Sequence, residues 1–418
     1  MSRGAVSRRR FLGTAGGTLA ATAVALGADA LTNPLAASAS VPGAAPGATV
    51  AFHGAHQAGI VTPAQDRLLF ASFDVISANR DDLVGVLREW TRAARRMAAG
   101  APVGTDNHDL DAPPDDTGEA VGLGPASLTV TFGLGASLFD RAGDPFGIAA
   151  KKPAALVAMP AFANDEIDPA RSDGDLAVQA CANDPQVCFH AIRNLARIGR
   201  GVVALRWSQS GFGRTSSTDS NQTTPRNLMG FKDGTNNLVA EDTAQLQAHV
   251  WVGASDDPAW MRGGSYLVTR RIRMLLEVWD RSTLSDQELT IGRNKGEGAP
   301  LGEAREHDVV NLTAKSGGEL VIPADSHIRL AAPEKNDGIR ILRRGYSFTD
   351  GIDPVTNQLD AGLFFIAYQR DPRHGFIPVQ ANLRTDALNE YIRHNGSAMF
   401  AVPPDVSRRG YVGETLFA

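Results

Sequence analysis

Apolar residues in this chain come in short runs of strand length, separated by longer stretches with helical spacing. Leu68 to Ile76 is an apolar run that reads as a strand. Ser77 to Arg80 then offer a cap, and Leu83, Val86, Leu87, Trp90 and Ala94 form one stripe, which predicts a helix over 82–97. Gly, Pro and Asp dominate 99–118 and predict a long surface loop. Ser127 to Phe132 and Asp175 to Cys181 read as further strands. Asn183-Asp184-Pro185 opens a second helix whose apolar face is Val187, Ala191, Leu195 and Ile198, and Val202 to Trp207 is a fourth strand. That order is the split βαβ unit of ferredoxin-like folds.

The second half repeats the order more loosely. Strands are expected at 265–274, 340–348 and 362–369, with helical pieces at 275–280 and 286–289. Asp386 to His394 reads as a helix with a basic last turn before Gly396. The polar stretch Ser216 to Thr224 places a boundary near Asn221. The expected organisation is an address segment over 1–39, one ferredoxin-like half over 40–220 and a second over 221–418.

The address reading rests on Ser7-Arg8-Arg9-Arg10-Phe11-Leu12 ahead of a weakly apolar run, Leu19 to Leu26, and on Ala37-Ser38-Ala39 as a small-residue cleavage site. Adjacent arginines before Phe-Leu point to the twin-arginine translocase, and hence to a periplasmic or extracellular protein exported already folded. The run is too short and too Gly-rich to span a bilayer, so no stable membrane insertion is expected. Its removal takes away four arginines and Asp29, moving the net charge from -5 to -8. With no basic stripe either, nucleic acid is not an expected partner.

Two cysteines, Cys181 and Cys188, exclude a disulfide framework, a thiolate metal centre and covalently attached c-type haem. G-x-S-x-G, P-loop and H-E-x-x-H patterns are absent from the sequence. Among nine histidines, His190 sits among Arg193, Asn194 and Arg197 and is expected to face solvent, while His394 caps a helix. His53 and His56 are expected in an entry loop, and His108, His249, His307 and His374 lie in polar surroundings. His327 differs, standing between Ser326 and the apolar Ile328. Two other features stand out: the Asp-Gly turn in Gly230-Phe231-Lys232-Asp233-Gly234-Thr235-Asn236, and Arg343-Arg344 inside an expected strand. Neighbouring strand residues face opposite ways, so one arginine is expected to point inward and to need an anion.

Those segments, with Phe52-His53-Gly54, Gly59-Ile60, Gly292-Arg293, Gly298-Ala299-Pro300-Leu301-Gly302 and Asp325-Ser326-His327-Ile328-Arg329, occur in an order that resembles the dye-decolourising haem peroxidases. The likeness is to the exported subgroup that includes the deferrochelatase/peroxidase of iron-uptake systems, and it runs from about residue 50 to the C-terminus. It implies an α+β fold in which two ferredoxin-like halves form a dimeric α+β barrel. It implies one non-covalent haem b per chain, with His327 as the iron ligand, Asp233 as acid–base and Arg343 as the distal arginine. Gly234, Thr235 and Asn236 would line the haem, and Arg293 would pair with a propionate. Ala332-Pro333-Glu334 departs from the family pattern at the position of a second propionate partner. Asp360 and Glu390 are equal candidates for a carboxylate behind His327.

The resemblance implies hydrogen peroxide and an organic electron donor as partners, with one-electron oxidation of bulky phenols or dyes as the activity. A carboxylate base would favour an acidic working range, because it stays ionised where an imidazole base is protonated. Trp207, Trp251, Trp260, Tyr346 and Tyr368 are candidate electron relays, but each reads first as a plain core residue. Two other readings stand beside this one: iron release from haem, and a non-enzymatic haem carrier. Homo-oligomerisation is left open.

Overall fold

In the computed structural model, residues 47–105 and 109–418 are described; the expected address segment and His108 lie outside them. Eight strands carry the architecture: β1 Arg67–Val75, β2 Thr129–Gly135, β3 Leu176–Ala182, β4 Val203–Arg214, β5 Ser265–Met274, β6 Tyr346–Ile352, β7 Leu359–Gln369 and β8 Ile392–Val402. Helix α1, Arg80–Ala98, follows β1, and α2, Pro185–Ile198, follows β3. Both begin where the sequence supplies an acceptor: Asn79 accepts from the Asp81 N–H, and Asp184 from Gln186 and Val187.

The first four strands pair in the order β4-β1-β3-β2 and the last four in the order β8-β5-β7-β6, all antiparallel. These are the same topology twice. β4 then pairs with β6 and β2 with β8, so the two sheets join at both edges and close an eight-stranded barrel. Closure leaves no free sheet edge among these strands. The fold is therefore α+β, as the sequence implied.

Alternate strand residues feed two cores. Phe70, Trp207, Leu267, Phe348, Phe364, Ile366 and Phe400, drawn from six strands, fill the barrel. On the outside, Leu83, Leu87 and Trp90 of α1 and Val187 and Leu195 of α2 seal against Phe73, Val130 and Val178. No described helix is long and apolar enough to cross a membrane.

Three expectations fail. The segment 386–394 is not a helix: a 3₁₀ turn over Ala387–Glu390 leads into β8, which pairs with β5 from Ile392 onward. The free edge of β5 overrides a weak local helical pattern. The stretch 340–348 is broken into Leu342–Arg343 and β6, because Gly345 passes close to β4 and β7, where a Cβ would meet Thr215 Oγ1 at 2.7 Å and Leu363 Cδ1 at 3.0 Å. His190 is buried, not solvated, because the 99–118 loop folds back on α2 and Asp116 Oδ1 lies 2.8 Å from its Nε2.

His394 therefore sits buried in β8, where desolvation, aided by the Arg270 charge, lowers its pKa to about 3. The unfolded chain takes up this proton near pH 6.5, the folded protein only near 3. The stability it contributes is complete above pH 6.5 and is lost as the pH falls toward 3. Between pH 6.5 and 4.5 the loss is about 2 kcal/mol, because the unfolded imidazole is already half protonated at the upper end. Denaturant unfolding of wild type and His394→Leu at both pH values is expected to show a smaller acid loss in the variant by about that amount.

Candidate active site

The chain from β4 to β5, the chain from β5 to β6 and the turn before β8 together build a third apolar cluster on the outer face of β5. Met229, Phe231, Ile272, Met274, Trp279, Ile291 and Leu388 belong to it, with Ile328 packed against it. His327 opens a short helix, α3, His327–Leu330, beside this cluster. The turn before it is pinned by Arg329, whose guanidinium donates to the Ile322 and Pro323 carbonyls. The helix Leu284–Ile291 ends at Gly292 with φ 90°, where a Cβ would lie 2.6 Å from Ile328 Cγ1. Only a glycine lets the two segments approach this closely, and it sets Arg293 beside α3.

His327 Nδ1 donates to Asp386 Oδ2 at 2.6 Å, and Asp386 Oδ1 accepts from the Leu388 N–H. The Ala387 N–H donates to the Asp325 carbonyl, fastening the two segments backbone to backbone. Burial alone would lower the His327 pKa, but the Asp386 carboxylate outweighs it and the net shift is upward. Asp360, one of the two expected partners, is instead bound by Arg271 at the end of the barrel. Asp386 was within the segment read as a helix, and a carboxylate 59 residues from its histidine leaves no spacing signal.

The charges of Asp233 and Arg343 both act on the His327 imidazole, the first raising and the second lowering its pKa. Asp233 Oδ1 accepts from Arg343 Nη1 at 3.0 Å and Oδ2 from Asn227 Nδ2 at 3.2 Å. Gly234 has φ 88° and lies against Ser216, where a Cβ would come within 2.8 Å of its Cα. Asn237 brackets Arg343, accepting from its N–H and donating to its carbonyl, both at 2.8 Å. Thr235 Oγ1 donates to Glu306 Oε1 at 3.0 Å, and Asn236 Oδ1 accepts from Arg340.

Glu306 was missed by sequence reasoning. Its carboxylate holds Lys232 and Thr235 on either side of Asp233, and its carbonyl accepts from Arg293 Nη1 at 3.0 Å. Burial works against its ionised form, yet these contacts keep its pKa below the usual glutamate value. Arg293 is buried, and burial lowers its pKa, opposed by Glu306 and reinforced by Arg343.

The inward arginine is Arg344, fully buried; no carboxylate among the described residues pairs with it, and its Nε has no partner. Its guanidinium reaches the Thr62 carbonyl, Thr218 Oγ1 and Gln65 Oε1. His53 and His56 are tied to the Val406 and Gly263 carbonyls, and His56 stacks on Trp251 at 3.6 Å between ring centroids. Cys181 and Cys188 are free and buried.

The arrangement is a carboxylate-held imidazole with, acting on it, the paired Asp233 and Arg343 side chains. Sequence models of the Dyp-type peroxidase N-terminal and C-terminal domains match residues 57–213 and 224–407. The chain belongs to the Dyp-type peroxidase family. It is 40% identical over 374 residues to the deferrochelatase of Escherichia coli strain K12, covering 87% of this chain and 86% of that one. Among solved structures it is similar to the DyP-type peroxidase of Streptomyces coelicolor, at 41% identity and TM-score 0.81, over 89% of this chain and 98% of that one. Ferric DtpA from Streptomyces lividans matches with the same figures. The Dyp-type peroxidase of Cellulomonas bogoriensis is 38% identical, with TM-score 0.80 over 90% and 99% of the two chains.

Proposed function

We propose that this protein is an exported haem b peroxidase that uses hydrogen peroxide to oxidise bulky phenolic or dye-like donors. The observation that carries the reading is the pairing of His327–Asp386 with Asp233–Arg343. Its donor set fits haem. A single imidazole supplies one ligand, as a metal held in a macrocycle requires. The Asp386 carboxylate fixes the tautomer that leaves the Nε2 lone pair free and raises its basicity. Bound haem supplies the iron that accepts peroxide and passes its oxidising power on in single-electron steps.

The residues would share the remaining work. The Asp233 carboxylate takes a proton from one peroxide oxygen and returns it to the other. Arg343 lies 3.0 Å from that carboxylate and stabilises the negative charge that develops as the O–O bond breaks. Asn227, Lys232, Thr235 and Glu306 hold the loop, so that the carboxylate need not reorganise. One hydrogen peroxide and two phenols then give two waters and two phenoxyl radicals.

The absorption spectrum of the haem-loaded protein, before and after peroxide, tests this together with turnover of an anthraquinone dye. A dye-oxidation rate no faster than that of free haem would reduce the protein to a haem carrier. A second reading, release of iron from haem, is favoured by the deferrochelatase relatives at 40% identity. It is distinguished by recovery of intact iron-free porphyrin from added haem.

Two further outcomes are expected. Asp386→Ala leaves His327 without its orienting partner and is expected to weaken haem binding by about 10–100-fold in a titration of the haem-free protein. Replacing Arg8 and Arg9 with lysine is expected to keep the precursor in the cytoplasm, as fractionation would show. Undiminished export of that variant would refute the twin-arginine route.

A further inference from the structure

Arg343 stands in a two-residue strand, Leu342–Arg343, that pairs on one side with Tyr368 and Ala367 of β7. Among the described residues, no strand pairs with its other side. The Arg343 N–H and carbonyl are instead both met by one side chain. Asn237 Oδ1 accepts from the N–H and Asn237 Nδ2 donates to the carbonyl, each at 2.8 Å. Nδ2 also donates to the Ser217 carbonyl at 2.9 Å. The amide does for Arg343 what a neighbouring strand does for an ordinary β residue.

Asn237 belongs to the turn that carries Asp233. Its own N–H donates to the Gly234 carbonyl at 3.1 Å, and the Asp233 N–H donates to the Pro225 carbonyl at 2.9 Å. One side chain therefore ties the backbone of Arg343, 106 residues away in sequence, to the turn that holds its partner. With both backbones fixed, only side-chain torsions are left to set the 3.0 Å contact between Arg343 Nη1 and Asp233 Oδ1.

The chemistry of residue 237 matters as much as its shape. A primary amide offers an acceptor and two donors in one plane, and the Arg343 N–H and the two carbonyls use all three. A carboxylate of the same shape would turn an oxygen toward both carbonyls. A leucine would leave all three backbone groups unanswered.

We propose that Asn237 is a positioning residue for the peroxide reaction, which sets Arg343 against Asp233 and acts only through them. The effect on turnover rests on the peroxidase reading; the placement does not. Misplacing a reacting group by about 1 Å can cost on the order of 10²-fold in rate, so the device is worth testing at the chemical step.

The test compares haem-loaded wild type with Asn237→Leu and Asn237→Asp. Stopped-flow absorbance reads the peroxide-consuming step, and a cyanide titration of the ferric protein reads the same geometry without turnover. Hydrogen cyanide must lose its proton to bind iron, and the bound anion accepts a hydrogen bond, so its affinity depends on where the carboxylate and guanidinium stand. Both variants are expected to slow the peroxide step about 10- to 100-fold and to weaken cyanide binding about ten-fold, with the KM for the dye unchanged. Added to Arg343→Leu, Asn237→Leu is expected to cost less than about two-fold more, because the guanidinium it positions is gone. Wild-type rate and cyanide affinity in either variant, or full additivity in the double variant, would overturn the proposal. Failure of both variants to take up haem would make Asn237 a folding residue and overturn it equally. If the wild-type protein bound cyanide in an Asn237-dependent way but did not consume peroxide, the placement would stand and the peroxidase reading would fall.

Discussion

His327→Ala is expected to purify with less than about a tenth of the wild-type haem, because the proposed iron ligand is gone. A second consequence follows from the geometry. Asp386 is 5% exposed, and loss of the imidazole leaves its Oδ2 without the donor that now sits at 2.6 Å. A buried acceptor stripped of its partner costs about 1–3 kcal/mol, so the variant is also expected to be less stable. Added imidazole separates the two effects. It can enter the vacated space, bind iron and restore the haem spectrum, whereas a misfolded chain would not respond. Full haem content with an unchanged Soret band in His327→Ala would remove His327 from the iron.

Asp233→Asn is expected to slow the first, peroxide-consuming step by a factor on the order of 10²–10⁴, the usual yield of a positioned acid–base group. Both carboxylate oxygens of Asp233 now accept hydrogen bonds, one from Arg343 and one from Asn227. The amide that replaces it must turn its own NH₂ toward one of these donors, so the variant loses the base and also disturbs its holder. Arg343→Leu removes the cation and leaves the Asp233 carboxylate without its partner at 3.0 Å. Stopped-flow absorbance after mixing with peroxide compares the two. Wild-type speed in Asp233→Asn together with failure of Arg343→Leu would give the catalytic role to the arginine. A double variant no slower than the worse single one would show that the pair acts as one unit.

Local chemistry carries far in this chain. The caps at Asn79 and Asp184, the stripe through Leu83, Leu87 and Trp90, and the strand 265–274 are each written within a dozen residues. The order of those elements specifies a ferredoxin-like half, and His327, Asp233 and Arg343 stand in segments with a recognisable spelling. What the sequence could not state are the meetings between distant segments. Asp386 reaches His327 across 59 residues, and Glu306 reaches Thr235 across 71.

Residues 386–394 have a helical appearance when read alone, yet from Ile392 they form a strand because the edge of β5 offers a row of unpaired backbone groups. His190 read as solvent-facing and is buried by a returning loop, and His394 read as the last turn of a helix and is buried in β8. Arg344 looked to need an anion and found neutral oxygens from residues 62, 65 and 218. Periodicity and caps record what a residue does with its neighbours within one or two turns. Which carboxylate meets which imidazole is set by closing the barrel, because only then do segments tens of residues apart lose the freedom to avoid one another.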